Sequence, residues 1–333
     1  MMKKVRKKIK AYVSKINFAL HRTPHVIEYK DTCPSEYIPE PYRAVIILSA
    51  DFELAWAWRF AYSREISERF AQTARKNIPK ILSLCDQYHI PITWATVGHL
   101  FLERCSKNGY RAHPSMSRIP YHKSHYWSYN SGDWFEHDPC TDYKTSPAWY
   151  GPDLVKMIVR AKTQHEIACH TFSHIDCRDC VCPQSVFIDE INECQRCASR
   201  LGVSMKSFVH PGHTIGNLNA LKKCGFTSFR TDYRNVLAYP EKHTSGLWEF
   251  KTTTEIKYRE EWSLQYHMYR YTKIIEKALK AQRLCYFWFH PSIDPIFIEV
   301  VMPVLFEFIV SKRNMLWITT TSAYVDWLER NER

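Results

Sequence analysis

The chain of 333 residues has room for one large α/β domain or two small ones. A hydrophobic fraction of 45% supports a sizeable core, and a charged fraction of 24% excludes wholesale disorder. A formal net charge of +12 favours anionic partners, whether nucleic acid, acidic glycan or an anionic membrane, without choosing among them.

Much of that surplus opens the chain. Lys3, Lys4, Arg6, Lys7, Lys8 and Lys10 precede any long apolar run, and Val5, Ile9, Val13 and Ile16 recur at helical spacing among them. The pattern suits a helix lying on an anionic membrane; a solvated helix packed on its own domain is the plainer alternative. Lys15, Asn17, His21 and Arg22 interrupt the apolar stretch that a secretory signal needs. No run approaches the ~20 apolar residues of a membrane span. The expectation is a cytoplasmic protein with peripheral contact at the inner membrane face. Its twelve cysteines are then expected as reduced thiols or metal ligands rather than as a disulfide framework.

The polar, Pro-rich stretch 31–43 reads as a linker. A basic N-terminal segment and linker over residues 1–40 is therefore set apart from a main domain over 41–333. "AVIILSADFE" (44–53) is a buried strand. "ARKNIPKILSLCDQYHI" has helical spacing and "PITWATVG" is the next strand. Residues 103–148 lack periodicity and form an insertion rich in Trp, Tyr and His. Beyond it, helix and strand alternate: "GPDLVKMIVRAKTQ", "HEIACH", "PQSVFIDEINECQRCASRLG", "KSFVHP", "NLNALKKCG", "FTSFRTD", "KIIEKALKAQR", "LCYFWFHP", "FIEVVMPVLFEFIVSK" and "NMLWITTT". Such alternation predicts a parallel sheet flanked by helices, open or barrel-shaped.

Ligands in parallel α/β folds sit at the carboxyl ends of the strands. The first strand ends on Asp51 and Glu53, two apart and so on one side. Two carboxylates held side by side repel unless a cation or proton lies between them. Later strands end near His99, at "CHTFSH" with His170 and His174, at "VHPGH" with His210 and His213, and at His290. One carboxylate and two histidines make a recognised catalytic metal set, with a second carboxylate as base and a lone histidine as acid.

"SADFE", "HTFSH", "FVHPGH" and "WFHPSI" resemble the successive motifs of polysaccharide deacetylases, the NodB-homology group of metal-dependent carbohydrate esterases. The resemblance spans roughly residues 44–322. It implies a distorted (β/α) barrel of about seven strands and hydrolysis of an N-acetyl or similar small acyl group, such as formyl, on an amino sugar. It implies one divalent ion, zinc before cobalt, manganese or nickel, on Glu53, His170 and His174. By the same resemblance Asp51 is the general base, His290 the general acid, and Thr171 helps to hold the acetyl product. Two departures stand out. Glu53 replaces an aspartate, and Val209 in "FVHP" stands where the family often has an arginine that orients the base. Arg230 or His213 is left to take over that job.

Pro211, His213, Arg230, Trp248 and His99 complete the candidate substrate site, although Trp248 and His99 also suit plain core roles. The insertion's rings, including Tyr126, Trp127, Trp134 and Trp149, read equally as a sugar-stacking lid or as a hydrophobic cluster. Cys177, Cys180, Cys194 and Cys197 form two C-x-x-C pairs, a candidate second metal site. The expected substrate is an amino sugar or glycan, phosphorylated or lipid-linked, used in making a surface polysaccharide. A catalytically impaired glycan binder and a cysteine-cluster metal or redox protein are the alternatives. Nucleic acid explains the charge alone and is not an expected partner.

Overall fold

The computed structural model describes residues 2–20, 24–232 and 235–331. His21 and Arg22, and the side chains of Lys3, Lys4 and Lys7, lie outside the described set.

The strands of the main sheet are β1 (Ala44–Phe52), β2 (Thr93–Thr96), β3 (Glu166–Cys169), β4 (Ser207–Val209) and β5 (Ser228–Thr231), followed by β6 (Glu241–Lys242), β7 (Trp248–Lys251), β8 (Thr254–Glu255), β9 (Leu284–Phe289) and β10 (Leu316–Thr319). The sheet runs β6-β7-β5-β4-β3-β2-β1-β9-β8. Strand β10 pairs with the first half of β1, residues Ala44–Ile47, while β2 pairs with its last residues, Ser49–Phe52. All pairings are parallel except that of β6 with β7. Every residue of β1 is buried because neighbours flank it on both edges and side chains cover both faces.

Among the described residues the sheet does not close, yet it curls strongly. Arg230 of β5 reaches Asp51 of β1 with two 2.7 Å contacts. Four strand spacings amount to about 19 Å along a flat sheet, so only a half-barrel brings these side chains together.

The helices are α1 (Met2–Leu20), α2 (Arg64–Tyr88), α3 (Pro152–Val159), α4 (Gln184–Ser199), α5 (Leu218–Lys223), α6 (Leu264–Ala281), α7 (Met302–Ser311) and α8 (Thr321–Asn331). Helix α2 starts where Ser63 Oγ accepts from the Ile66 amide and stops at His89 in the left-handed region. Its buried stripe includes Ile78, Ile81, Leu82 and Cys85. Helix α1 is held by Phe18, which is buried edge-on to Tyr266 and Tyr269 of α6. Among the described residues no helix is long and apolar enough to cross a membrane.

The insertion holds only short hairpins, 107–108 with 111–112 and 122–123 with 128–129. Trp127, Trp134, Phe135, Trp149 and Tyr150 are buried in the main core. Of the insertion's rings, Tyr126 lines the large cavity described below. Of the two readings, the hydrophobic cluster describes the buried rings, because an insertion without long strands must bury its own apolar surface to stay ordered, and Tyr126 remains at the cavity.

Candidate active site

The carboxyl ends of the central strands open into a cavity of about 740 Å³. Asp51, Glu53, His170, His174, His213 and His290 all line it. Asp51 is the penultimate residue of β1 and Glu53 follows the strand, so period-two alternation turns both inward and Phe52 outward.

Glu53 Oε2 lies 3.3 Å from Nε2 of His170 and 3.2 Å from Nε2 of His174. His170 Nδ1 is 2.7 Å from the Val209 carbonyl, which can only accept, so Nδ1 carries the proton. The Nε2 of a neutral His170 then presents a lone pair to a carboxylate oxygen. Burial holds the His174 ring down to about 4, against the pull of Glu53, so this ring is neutral at ordinary pH. Two imidazoles and a carboxylate with converging lone pairs suit a cation among them. His174 Nδ1 is buried without a hydrogen-bond partner.

The loop carrying the two histidines is clamped from several sides. Thr171 and His174 both have φ of 57°, a left-handed backbone that costs free energy unless the surroundings hold it. Thr171 Oγ1 accepts from the Ile175 amide at 3.2 Å. Glu190 of α4 accepts from both the amide and the hydroxyl of Ser173, at 2.7 and 2.6 Å. Trp134 Nε1 donates to Ser173 Oγ at 2.8 Å, Trp127 Nε1 to the His174 carbonyl at 3.2 Å, and Arg59 to the Ser173 carbonyl at 2.8 Å.

Arg230 forks onto Asp51, donating to Oδ1 and Oδ2, and also to Ser49 Oγ at 3.0 Å. Burial alone would raise the Asp51 pKa, but the guanidinium outweighs it and keeps the carboxyl below its ordinary value. Of the two candidates for the missing arginine, Arg230 makes the contact. His213 lies instead 3.8 Å from Asp232, and burial beside Arg230 lowers it to about 4.

His290 sits between two carboxylates, 3.2 Å from Glu53 Oε1 and 3.6 Å from Glu255 Oε1. Burial alone would lower its pKa; Glu53 and Glu255 outweigh that and push it up to about 10. A cation held by Glu53 would withdraw that carboxylate's pull and leave Glu255 as the partner of the imidazolium. Glu255 had no signal in the sequence. It lies on the two-residue strand β8, and only pairing of Glu255 with Trp288 of β9 carries it beside His290.

Trp58, with its ring 5.4 Å from that of His290, and Trp262 wall the cavity, and Lys257, Arg259 and Arg270 line it together with Asp232, Glu255 and Glu261. Thr171 and Pro211 stand behind the lining rather than in it.

Two proposed substrate contacts are corrected. His99 is fully buried, bonded to Asp138 at 2.9 Å and to the Trp149 carbonyl at 3.2 Å, and does not face the cavity. Trp248 on β7 packs with Val45, Ile47 and Tyr286 in the smaller core cluster. The cysteine metal site is corrected too. Among the described residues Cys177, Cys180, Cys194 and Cys197 do not form a group at ligand distances. Cys180 is exposed, while Cys194 contacts Cys169 at 3.4 Å because the C-x-x-C pair of α4 faces the core.

The polysaccharide deacetylase family profile matches residues 64–229, a span that holds His170 and His174. No match is found among curated proteins. Among solved structures, the chain is similar to a putative polysaccharide deacetylase from Mycobacterium smegmatis, with 12% identity, TM-score 0.61 and coverage of 93% of this chain and 94% of that one. A probable polysaccharide deacetylase from Pseudomonas aeruginosa PAO1 gives 12% identity, TM-score 0.62 and coverage of 92% and 97%. Puue allantoinase gives 12% identity, TM-score 0.62 and coverage of 92% and 99%. Likeness at this identity establishes the fold.

Proposed function

Starting from the chain's membership of the polysaccharide deacetylase family, we propose that it removes an N-acetyl or similar small acyl group from an amino sugar by metal-assisted hydrolysis. One observation carries the reading. Glu53 converges with His170 and His174, flanked by an arginine-clamped Asp51 and a doubly paired His290, on the floor of one cavity.

A divalent ion on Glu53, His170 and His174 would polarise the acyl carbonyl and acidify water beside it. Asp51, kept ionised and aimed by Arg230, accepts the proton of the attacking water. The water oxygen bonds to the carbonyl carbon and the carbon–nitrogen bond breaks. His290 gives its proton to the departing nitrogen, and Glu255 keeps the ring charged and oriented. The products are the free amine and the carboxylic acid. Arg230 on Asp51 also argues against the impaired-enzyme alternative, which rested on a missing arginine.

The net charge of +12 and the cavity cations Lys257, Arg259 and Arg270, of which Lys257 pairs with Glu255 and Arg259 lies 3.6 Å from Glu261, support a substrate carrying phosphate, either nucleotide-linked or lipid-linked. Twelve free cysteines support a reducing, cytoplasmic setting. Acetate release is the test, with phosphorylated and neutral N-acetylated amino sugars offered side by side. The reading expects turnover that Asp51→Asn lowers about 10²–10⁴-fold. Undiminished turnover in that variant contradicts the assigned base, and a preference for neutral sugars contradicts the phosphate assignment.

A further inference from the structure

A second cluster of ligand-type side chains lies away from the cavity. His99 Nε2, Cys105 Sγ, His113 Nε2 and a carboxylate oxygen of Asp138 all fall within 4.8 Å of one another. We propose that these four residues bind a structural zinc ion that pins the 103–148 insertion to the barrel.

The geometry around Asp138 carries the inference. Its Oδ2 is 2.9 Å from His99 Nε2, 2.8 Å from His113 Nε2 and 3.3 Å from Cys105 Sγ. Three ligand-type atoms thus crowd one carboxylate oxygen, and not all of them can donate to it. The other oxygen is already engaged, by the Tyr150 hydroxyl at 3.0 Å and the Cys140 amide at 2.9 Å. His99 Nδ1 faces the Trp149 carbonyl at 3.2 Å, and a carbonyl only accepts. The proton of a neutral His99 therefore sits on Nδ1, and Nε2 turns a lone pair toward a carboxylate. A cation at the centre resolves both the crowding and the facing lone pairs. Zinc sits about 2.0–2.3 Å from N, O and S ligands, which sets tetrahedral ligand atoms roughly 3.3–3.8 Å apart. The separations from Asp138 Oδ2, 2.8, 2.9 and 3.3 Å, lie at or just below that range, and the other pairs fall within 4.8 Å, so small side-chain shifts would seat the ion. Two imidazoles, a thiolate and a carboxylate leave no open position, as in structural sites.

The placement gives the ion a purpose. His99 stands just after β2, on the barrel, whereas Cys105, His113 and Asp138 belong to the insertion. That insertion has only two-residue hairpins, too little sheet to order it alone. It also carries Trp127 and Trp134, whose indoles brace the loop of His170 and His174. A metal staple would thus hold the outer wall of the active site without taking part in its chemistry.

Cobalt substitution tests the site without reference to turnover. Cobalt(II) on a thiolate gives a sulfur-to-metal charge-transfer band in the near ultraviolet, and Glu53, His170 and His174 supply no sulfur. The cobalt-loaded full chain should show the band, keep it in His170→Ala, and lose it in Cys105→Ser and in His113→Gln. Zinc content should fall from about two per chain to about one in His170→Ala and, separately, in Cys105→Ser. No band in the folded, cobalt-loaded wild-type protein would overturn the inference, and so would a band that survives Cys105→Ser. Loss of deacetylase activity as a finding would leave the band in place, so the two readings fail separately.

Discussion

Val209 and Arg230 are register partners on adjacent parallel strands, so their side chains leave the sheet at one level and on one face. Arg230, the residue proposed to aim the base, thus stands one strand over, at the height where the resemblance leads one to expect it. Arg230→Met would leave Asp51 buried and unpaired, at a stability cost of about 3–5 kcal/mol. The Asp51 pKa would rise, the acidic limb of the pH–rate profile would move to higher pH, and kcat/KM at neutral pH would fall about 10²-fold. Adding Val209→Arg should restore part of that loss; no recovery in a folded double variant would deny the equivalence. Glu255→Gln should act on the other limb. Removing this carboxylate destabilises the His290 imidazolium, so its pKa falls and the alkaline limb moves to lower pH. The side chains that end strongly apolar strands were legible in the sequence: Asp51, Glu53, His170, His174 and His290. The choice of Arg230 over His213 was not, because it depends on the register of β4 with β5 and on the curl of the sheet. Glu255 was silent for the same reason, lying on a strand too short to leave a pattern.

At the scale of elements, the loop of His170 and His174 relies on neighbours that the alternation of strand and helix does not reveal. Trp127→Phe keeps the ring beside His174 but deletes the indole N–H that holds its carbonyl. Metal affinity measured by chelator competition should weaken about 10-fold, the lower end of the effect of removing a supporting bond. His165 offers a pH prediction outside the site. Its Nδ1 accepts from the Ile92 amide at 3.1 Å, and burial lowers its pKa to about 4 from an ordinary 6.5. Between those values the unfolded chain binds a proton that the folded chain refuses. The stability this residue supports is complete above pH 6.5 and drains away as pH falls toward 4. His165→Asn, measured by denaturant unfolding, should flatten the slope of stability against pH in that window by up to about 1.36 kcal/mol per pH unit. The sequence placed most strands and helices. It missed the polar first turns of α2 and α6, where capping rather than apolar spacing sets the start. It also missed β7 and α8: Trp248–Lys251 has only two apolar residues to mark it, and α8 follows β10 with almost no break.

The whole molecule presents a cationic, partly apolar helix beside the mouth of its cavity. Phe18 of α1 packs under Arg270, which lines that cavity, while Val5, Ile9, Tyr12, Val13 and Ile16 are exposed among Arg6, Lys8, Lys10 and Lys15. The expected contact with an anionic bilayer would use this face, and the cavity would then open toward lipid-linked sugars. The protein should cosediment with anionic vesicles and not with neutral ones, less so at high salt, and Ile9→Glu with Val13→Glu should abolish it. Equal binding to neutral vesicles would remove the electrostatic part of the argument. Glu53, His170 and His174 are proposed to hold an ion on which acyl hydrolysis depends. The most direct measurement is acetate release from N-acetylated amino sugars by chelator-treated protein titrated with zinc. The stripped protein should show no turnover, added zinc should restore it, and His170→Ala should not recover under the same titration. Full turnover without metal, or equal recovery in His170→Ala, would contradict this assignment.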